Sequence, residues 1–238
     1  MNKKNFTVAF VGCGRVAQHY IKIIKKIKNI NIKVVAVCDT KKLRAIEISK
    51  KVKSKPYFDL KKMLKEIKVD LIMILTPSGL HYKHSSLALE YGFNVLVEKP
   101  ICLSVSDAKK LYKKAKSKKL LLSVGFQNRH NKAVVFLKKA INKKLFGKIV
   151  SISIVLRWCR FQSYYADDWH GTWKLDGGVI NQQAIHHIDA LNYIFGPIKK
   201  VSSFISKRIN KLEAEDTCVS ILELHNGALC TLEATTAA

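Results

Sequence analysis

The chain is short of acidic residues: 17 Asp and Glu stand against 43 Lys and Arg in 238 positions, a formal charge of +26. Such a balance suits nucleic acid, an anionic membrane surface or an anionic substrate. No basic arm and no aromatic run suited to stacking on bases is present. Lys3, Lys4, Lys25, Lys26, Lys50, Lys51, Lys113, Lys114, Lys138 and Lys139 are instead spread over the whole length, which reads as a lysine-biased surface. No C-x-x-C pair occurs among Cys13, Cys38, Cys102, Cys159, Cys218 and Cys230, whose wide, irregular gaps point to free thiols in a reducing compartment. No apolar run reaches the length of a membrane span. The first such run, Phe6–Val11, is also too short for the core of a secretory signal. The expectation is a soluble, cytoplasmic protein with neither nucleic acid nor membrane as partner.

What is present is enough apolar material for a sizeable core: 48% hydrophobic residues and 9% aromatic in a length that suits one large domain or two modest ones. Continuous apolar runs at Phe6–Val11, Ile32–Cys38, Leu71–Leu75, Phe93–Val97 and Leu120–Val124 predict strands buried on both faces. Helix-period segments lie between them, near Arg15–Lys28, Lys41–Lys53, Leu60–Lys68, Leu80–Tyr91 and Val105–Lys118. Asp59 and Ser104 are the N-cap types that open the third and fifth. This alternation predicts a parallel sheet with right-handed crossovers over residues 1–125.

From residue 126 the texture changes to a helix (Ala133–Lys144), a strand (Lys148–Arg157), an aromatic loop and a helix near Gly178–Phe195. Strands near Val201–Lys207, Thr217–Leu224 and Ala228–Ala234 follow, the last two joined by the turn signal Asn226-Gly227. The fold class expected is α/β: a Rossmann domain over 1–125, then an α+β domain over 126–238 with a mainly antiparallel open sheet. Because its last run, "ALCTLEATTAA", has no helix or polar tail after it, the second domain is expected to be incomplete at its C-terminal end.

The first strand runs into Gly12-Cys-Gly-Arg-Val-Ala17, a G-x-G-x-x-A loop opening a helix. Gly12 permits the tight turn, Gly14 lets the backbone approach a pyrophosphate, and Ala17 allows helix and sheet to pack closely. Asp39 ends the second strand, where a carboxylate accepts from an adenosine ribose and repels a 2′-phosphate; this favours NAD over NADP. Its alternative role is a helix N-cap. "ILTPSGLH" (Ile74–His81) and "VLVEKP" (Val95–Pro100) follow the next two core strands, where open α/β sheets bind ligands. Lys99, fixed by Pro100 through a bond that could be cis, is placed to hydrogen-bond a substrate hydroxyl.

In "DGGVINQQAIHHID" (Asp176–Asp189), a period of 3.6 puts Gln182, His186, Asp189 and Tyr193 on one helical face, with His187 offset. H-x-x-D supplies only two ligands, so no metal site is expected. A helical histidine is often only structural. Here Asp189 could orient His186, which makes His186 the candidate acid/base and His187 the bystander.

The glycine loop, Glu98-Lys99-Pro100, "GFQNRHN" (Gly125–Asn131) and GG-x(7)-HxxD together resemble the glucose–fructose oxidoreductase/inositol dehydrogenase family. Leu156–Val201 looks more like the bacterial UDP-N-acetylglucosaminuronate 3-dehydrogenases of surface-polysaccharide (lipopolysaccharide) precursor pathways. The resemblance implies Lys99 and His186 as the catalytic pair and NAD as cofactor. It places cofactor contacts at Gly12, Gly14, Arg15, Val16, Asp39, Thr76, Pro77, His81, Glu98, Lys99 and Gln127. An anionic nucleotide-sugar substrate would meet Arg129, Arg157, Gln182 and Asp189, with Arg160 nearby. It also implies a homo-oligomer, dimer or tetramer. Two departures stand out: His170 where relatives often carry arginine, and Gln182 where they often carry asparagine. The alternatives are a dehydrogenase of a free sugar or polyol, and a basic binding protein without catalysis.

Overall fold

The computed structural model describes residues 5–238; Lys3 and Lys4 lie outside them. The chain divides into two compact units, Met1–Gly125 and Phe126–Ala238. No helix among the described residues is long and apolar enough to cross a membrane.

The first unit is a six-stranded sheet built from β1 (Asn5–Val11), β2 (Asn31–Cys38), β3 (Lys55–Tyr57), β4 (Leu71–Ile74), β5 (Val95–Val97) and β6 (Leu122–Val124). Every pairing is parallel, in the order β3-β2-β1-β4-β5-β6. The helices are α1 (Arg15–Lys26), α2 (Lys42–Val52), α3 (Leu60–Glu66), α4 (His81–Glu90) and α5 (Val105–Ser117). Side chains alternate across β1, so Val8 and Phe10 pack with Ala17, Ile21, Ala45 and Ile48 of α1 and α2. Ala9 and Val11 pack on the other side with Met63, Leu89 and Leu111 of α3, α4 and α5. Both faces are covered, which is why these strands are continuous apolar runs in sequence. Each fully buried side chain of the size of Phe10 or Ile72 contributes about 1.5–3 kcal/mol by burial. The caps expected from sequence are in place: Asp59 accepts from Lys62 N at 2.7 Å and Ser104 from Asp107 N at 3.4 Å.

β3 was absent from the sequence expectation. Its three residues, Lys-Pro-Tyr, hold no apolar run, and proline is tolerated because the strand is at the sheet edge.

The second unit orders its strands β7-β10-β9-β8: β7 (Ser151–Arg157), β8 (Ile198–Ser206), β9 (Thr217–Leu224) and β10 (Leu229–Thr235). β8–β9 and β9–β10 are antiparallel, and β7 joins β10 in parallel. Cys218, Ser220, Leu222 and Leu224 of β9 point inward, while Val219 and Ile221 between them are exposed. The inner row packs with Leu191, Ile188 and Phe195 of α7 (Ile185–Phe195). α6 (Lys132–Asn142) completes the unit, capped by Asn131.

The helix expected over Gly178–Phe195 differs in its first turns. Helix begins at Gly178 as expected, but Ile180–Ala184 is π-helical, and the regular α-helix resumes at Ile185. A wider turn there replaces the 3.6-residue repeat just ahead of His186.

Candidate active site

The strand order reverses between β1 and β4, and the glycine loop leaves β1 at that switch point. Gly12 has φ +98°, and a Cβ on it would stand 2.6 Å from the Leu75 carbonyl oxygen. Only glycine fits. Its N–H donates to Cys38 O at 2.8 Å, tying the loop to the end of β2. A Cβ on Gly14 would meet no heavy atom within 4 Å, and Gly14 is the N-cap of α1. Open space beside a helix N-terminus is what an anionic ligand needs. Arg15 and Val16, the first helical residues, are exposed.

Asp39 is bound to this loop from the side. One carboxylate oxygen accepts from Cys13 N and the other from Lys41 N, both at 2.8 Å. Its alternative role as the α2 N-cap is not what the chain adopts, because Lys41 holds that position. Burial, with the Asp39 charge beside it, pushes the Cys13 thiol up to about 12; burial and Asp39 do the same to Cys38. Neither thiol is a nucleophile at neutral pH.

The loops after β4 and β5 carry Thr76, Pro77, His81, Glu98 and Lys99. The Lys99–Pro100 peptide is cis. Glu98 accepts from Tyr20 Oη at 2.6 Å and from the Lys99 backbone N at 3.2 Å. Burial, then the Glu98 charge, raises the Tyr20 hydroxyl above its ordinary range, so it remains a donor. A Cβ on Gly125 would stand 3.1 Å from the Glu98 carboxylate, so a larger residue there would crowd it. Thr76 is held twice, by His81 Nε2 on its carbonyl at 2.8 Å and by His84 Nδ1 at its hydroxyl at 3.1 Å. His84 escaped the sequence reading, although its i,i+3 relation to His81 sets both on one side of α4.

In the second unit, the π-helical turn is fixed by a carboxylate that no local pattern announces. Glu215, 5% exposed, accepts from Ile180 N at 3.1 Å through its side chain and from Val179 N at 3.0 Å through its carbonyl. A Cβ on Gly178, at φ +75°, would lie 2.0 Å from Glu215 Oε2. This explains the second glycine of the Gly177-Gly178 pair. Asp176, 1% exposed, accepts from Gly171 N at 2.7 Å and from the Gln182 amide at 2.5 Å.

Asp189 was expected to orient His186. Both its oxygens accept from Arg129, a partner the sequence reading did not name, at 2.8 Å from Nε and 2.5 Å from Nη2. The Arg129 guanidinium also lies 5.2 Å from the Tyr193 ring and 5.8 Å from the Phe126 ring. His186 is half-buried, its ring edge-on to Phe126 at 6.2 Å. His187 Nδ1 is buried without a hydrogen-bond partner, and burial lowers the pKa of that ring. Gln127 is exposed on the turn Gln127–His130.

The two other arginines expected near the substrate are engaged too. Arg157 makes a two-point pair with Glu233 of β10, at 2.7 and 3.0 Å. Arg160 stacks 3.9 Å from the Trp158 ring. His170 is buried, bonded to Asp167 at 2.6 Å and stacked on Trp169 at 3.7 Å. Among the described residues, no group of three or more His, Cys, Asp or Glu could hold a metal ion.

The WlbA dehydrogenase of Bordetella pertussis, solved with NADH and UDP-GlcNAcA, superposes with a TM-score of 0.95 at 31% identity, over 99% of this chain and 73% of its own. D-glucoside 3-dehydrogenase of Escherichia coli is 25% identical, over 98% of this chain and 71% of that enzyme. Myo-inositol 2-dehydrogenase of Thermotoga maritima is 24% identical, over 93% of this chain and 66% of that enzyme. Residues 6–126 match the oxidoreductase family with an NAD-binding Rossmann fold, and residues 134–238 match the GFO/IDH/MocA C-terminal domain. The chain thus belongs to the GFO/IDH/MocA oxidoreductases and carries their NAD-binding Rossmann fold.

Proposed function

We propose that this oxidoreductase oxidises the C3 hydroxyl of a UDP-linked N-acetylated hexuronate to the 3-keto sugar. The observation that carries the reading is the likeness to the WlbA dehydrogenase at 31% identity over 99% of the chain, since that protein was solved with NADH and UDP-GlcNAcA. The residues present fit the dinucleotide: Gly12 and Gly14 clear the phosphate path, α1 offers its N-terminus, and Asp39 stands where a ribose is read.

When bound, NAD accepts the hydride from the sugar carbon. His186 takes the hydroxyl proton, and Lys99 donates a hydrogen bond to the same oxygen, favouring its ionisation. Asp189 acts through Arg129, which it holds in place for an anionic substrate. Gln182, anchored on Asp176, presents a fixed amide. Arg157 would have to exchange Glu233 for a substrate oxygen. The same reading takes the protein as a homo-oligomer in which a second subunit covers exposed Phe204, Val219 and Ile221.

A second reading, oxidation of a free sugar or polyol, is favoured by the glucoside and inositol relatives. One experiment separates the two: NAD reduction by the purified chain with UDP-GlcNAcA, UDP-GlcNAc, a glucoside and myo-inositol, with UDP as competitor. We expect turnover with the uronate, inhibition by UDP and a fall of about tenfold or more without the carboxylate, the loss of one charge-assisted contact. Equal turnover of myo-inositol, unaffected by UDP, would establish the second reading. NAD should also bind more tightly than NADP, and Asp39→Ala should narrow the gap.

A further inference from the structure

The ladder between β4 and β5 ends with Glu98 N donating to Ile74 O at 3.0 Å. Beyond it, the two strands lead into the loops that carry Thr76 and Lys99, and Pro100 has no N–H with which to continue the pairing. A side chain takes over. His81, 1% exposed at the start of α4, sets Nε2 2.8 Å from Thr76 O and Nδ1 2.6 Å from Pro100 O. We infer that His81 is a positioning residue that ties the Thr76-Pro77 turn to the Lys99-Pro100 peptide and so fixes where the Lys99 ammonium stands.

Carbonyl oxygens only accept, so each short contact asks for an N–H on the ring. A neutral imidazole has one; only the doubly protonated ring satisfies both. Burial and the Lys99 charge oppose that form, while the two carbonyls and Glu98 favour it. Burial has the larger say and lowers the pKa of the ring, so it donates to one carbonyl and stays packed against the other, and its two neighbours belong to loops on adjacent strands. With both nitrogens on carbonyls of its own chain, His81 acts on the reaction through Lys99. A lysine displaced by about 1 Å from a reacting oxygen loses on the order of a hundredfold in rate.

The inference rests on the dehydrogenase reading for its kinetic test, and hydrogen exchange tests it independently. Wild type, His81→Leu and His81→Gln are compared by NADH fluorescence titration, by steady-state oxidation of UDP-GlcNAcA with NAD, and by peptide-resolved hydrogen exchange. His81→Leu should lower kcat by about 10- to 100-fold per folded molecule, a larger change than any it makes in KM for NAD. His81→Gln, which keeps an N–H donor, should recover part of kcat. Exchange should quicken in residues 76–80 and 98–102 together and stay unchanged in α5. Unchanged kcat per folded molecule in His81→Leu, or faster exchange spread evenly over the first unit, overturns the inference. If His81→Leu fails to fold, His81→Gln carries the test, with partial loss of kcat and paired loosening of both loops expected. If wild type binds NADH but does not turn over UDP-GlcNAcA, the substrate assignment fails, and the exchange comparison still decides the tie.

Discussion

Replacing Gly178 with alanine should be among the most damaging single-methyl changes in the second unit. Two costs arise. At φ +75°, alanine sits in the left-handed region, which costs about 1–2 kcal/mol. The new methyl would lie 2.0 Å from Glu215 Oε2 and 2.2 Å from its Cδ, so the carboxylate must leave. It then releases Ile180 N, which it accepts from at 3.1 Å, and an unsatisfied buried donor costs about 1–3 kcal/mol. Together these give about 2–5 kcal/mol, a large share of the roughly 5–15 kcal/mol typical of folded domains. At about 2–4 °C per kcal/mol for a chain of this size, the transition should fall by about 4–20 °C. Thermal unfolding followed by circular dichroism measures it, and the same substitution in a Glu215→Ala background separates the two costs. There the clash is absent, so only the φ contribution of about 1–2 kcal/mol should remain. A Gly178→Ala protein melting within about 2 °C of its parent, or an equal loss in both backgrounds, would refute the reasoning.

Two further outcomes are expected. His84 has its pKa lowered from 6.5 to about 4, by burial first and then by the Lys83 and His81 charges. The unfolded chain therefore binds the proton more readily. The stabilising contribution is complete above pH 6.5, declines as pH falls towards about 4, and amounts to at most about 3 kcal/mol. Urea midpoints should fall over that window in wild type and less steeply in His84→Phe. Arg129→Ala strips both bonds from Asp189, which is only 8% exposed; because Arg129 itself is 45% exposed, we expect a loss of about 1–3 kcal/mol. Equilibrium urea unfolding reads this loss, and Asp189→Asn in the same background should return part of it.

How much could be read in advance depended on whether the signal was local. Phe6–Val11 and Ile32–Cys38 announce β1 and β2 because strands buried on both faces leave no room for polar alternation. Lys55–Tyr57 announces nothing, since its place comes from the neighbouring strand. Gly12 and Asp39 were legible as a pair at Rossmann spacing. The partner of Asp189 was not: Arg129 is 60 positions away. Glu215 and Gly178 show the same limit, because the glycine was visible in the motif and its reason was not. The π-helical turn ahead of His186 was illegible for a different cause. The repeat itself changes at Ile180–Ala184, where Glu215 and Asp176 hold the backbone and the Gln182 amide.

The parallel pairing of β7 with β10 has a consequence in time. β8, β9 and β10 follow one another as antiparallel neighbours, so each finds its partner soon after it is made. β7 precedes all three, yet its partner is the last of them; Ser153 and Thr231, bonded across that ladder, are 78 positions apart. At about 5–20 residues per second, a ribosome needs about 4–15 s to deliver the second strand after the first. Throughout that interval the nascent chain holds an unpaired strand carrying Ile152, Ile154 and Leu156, and no amount of local propensity shortens the wait. The early half of this sheet is thus made for a partner that translation supplies only later.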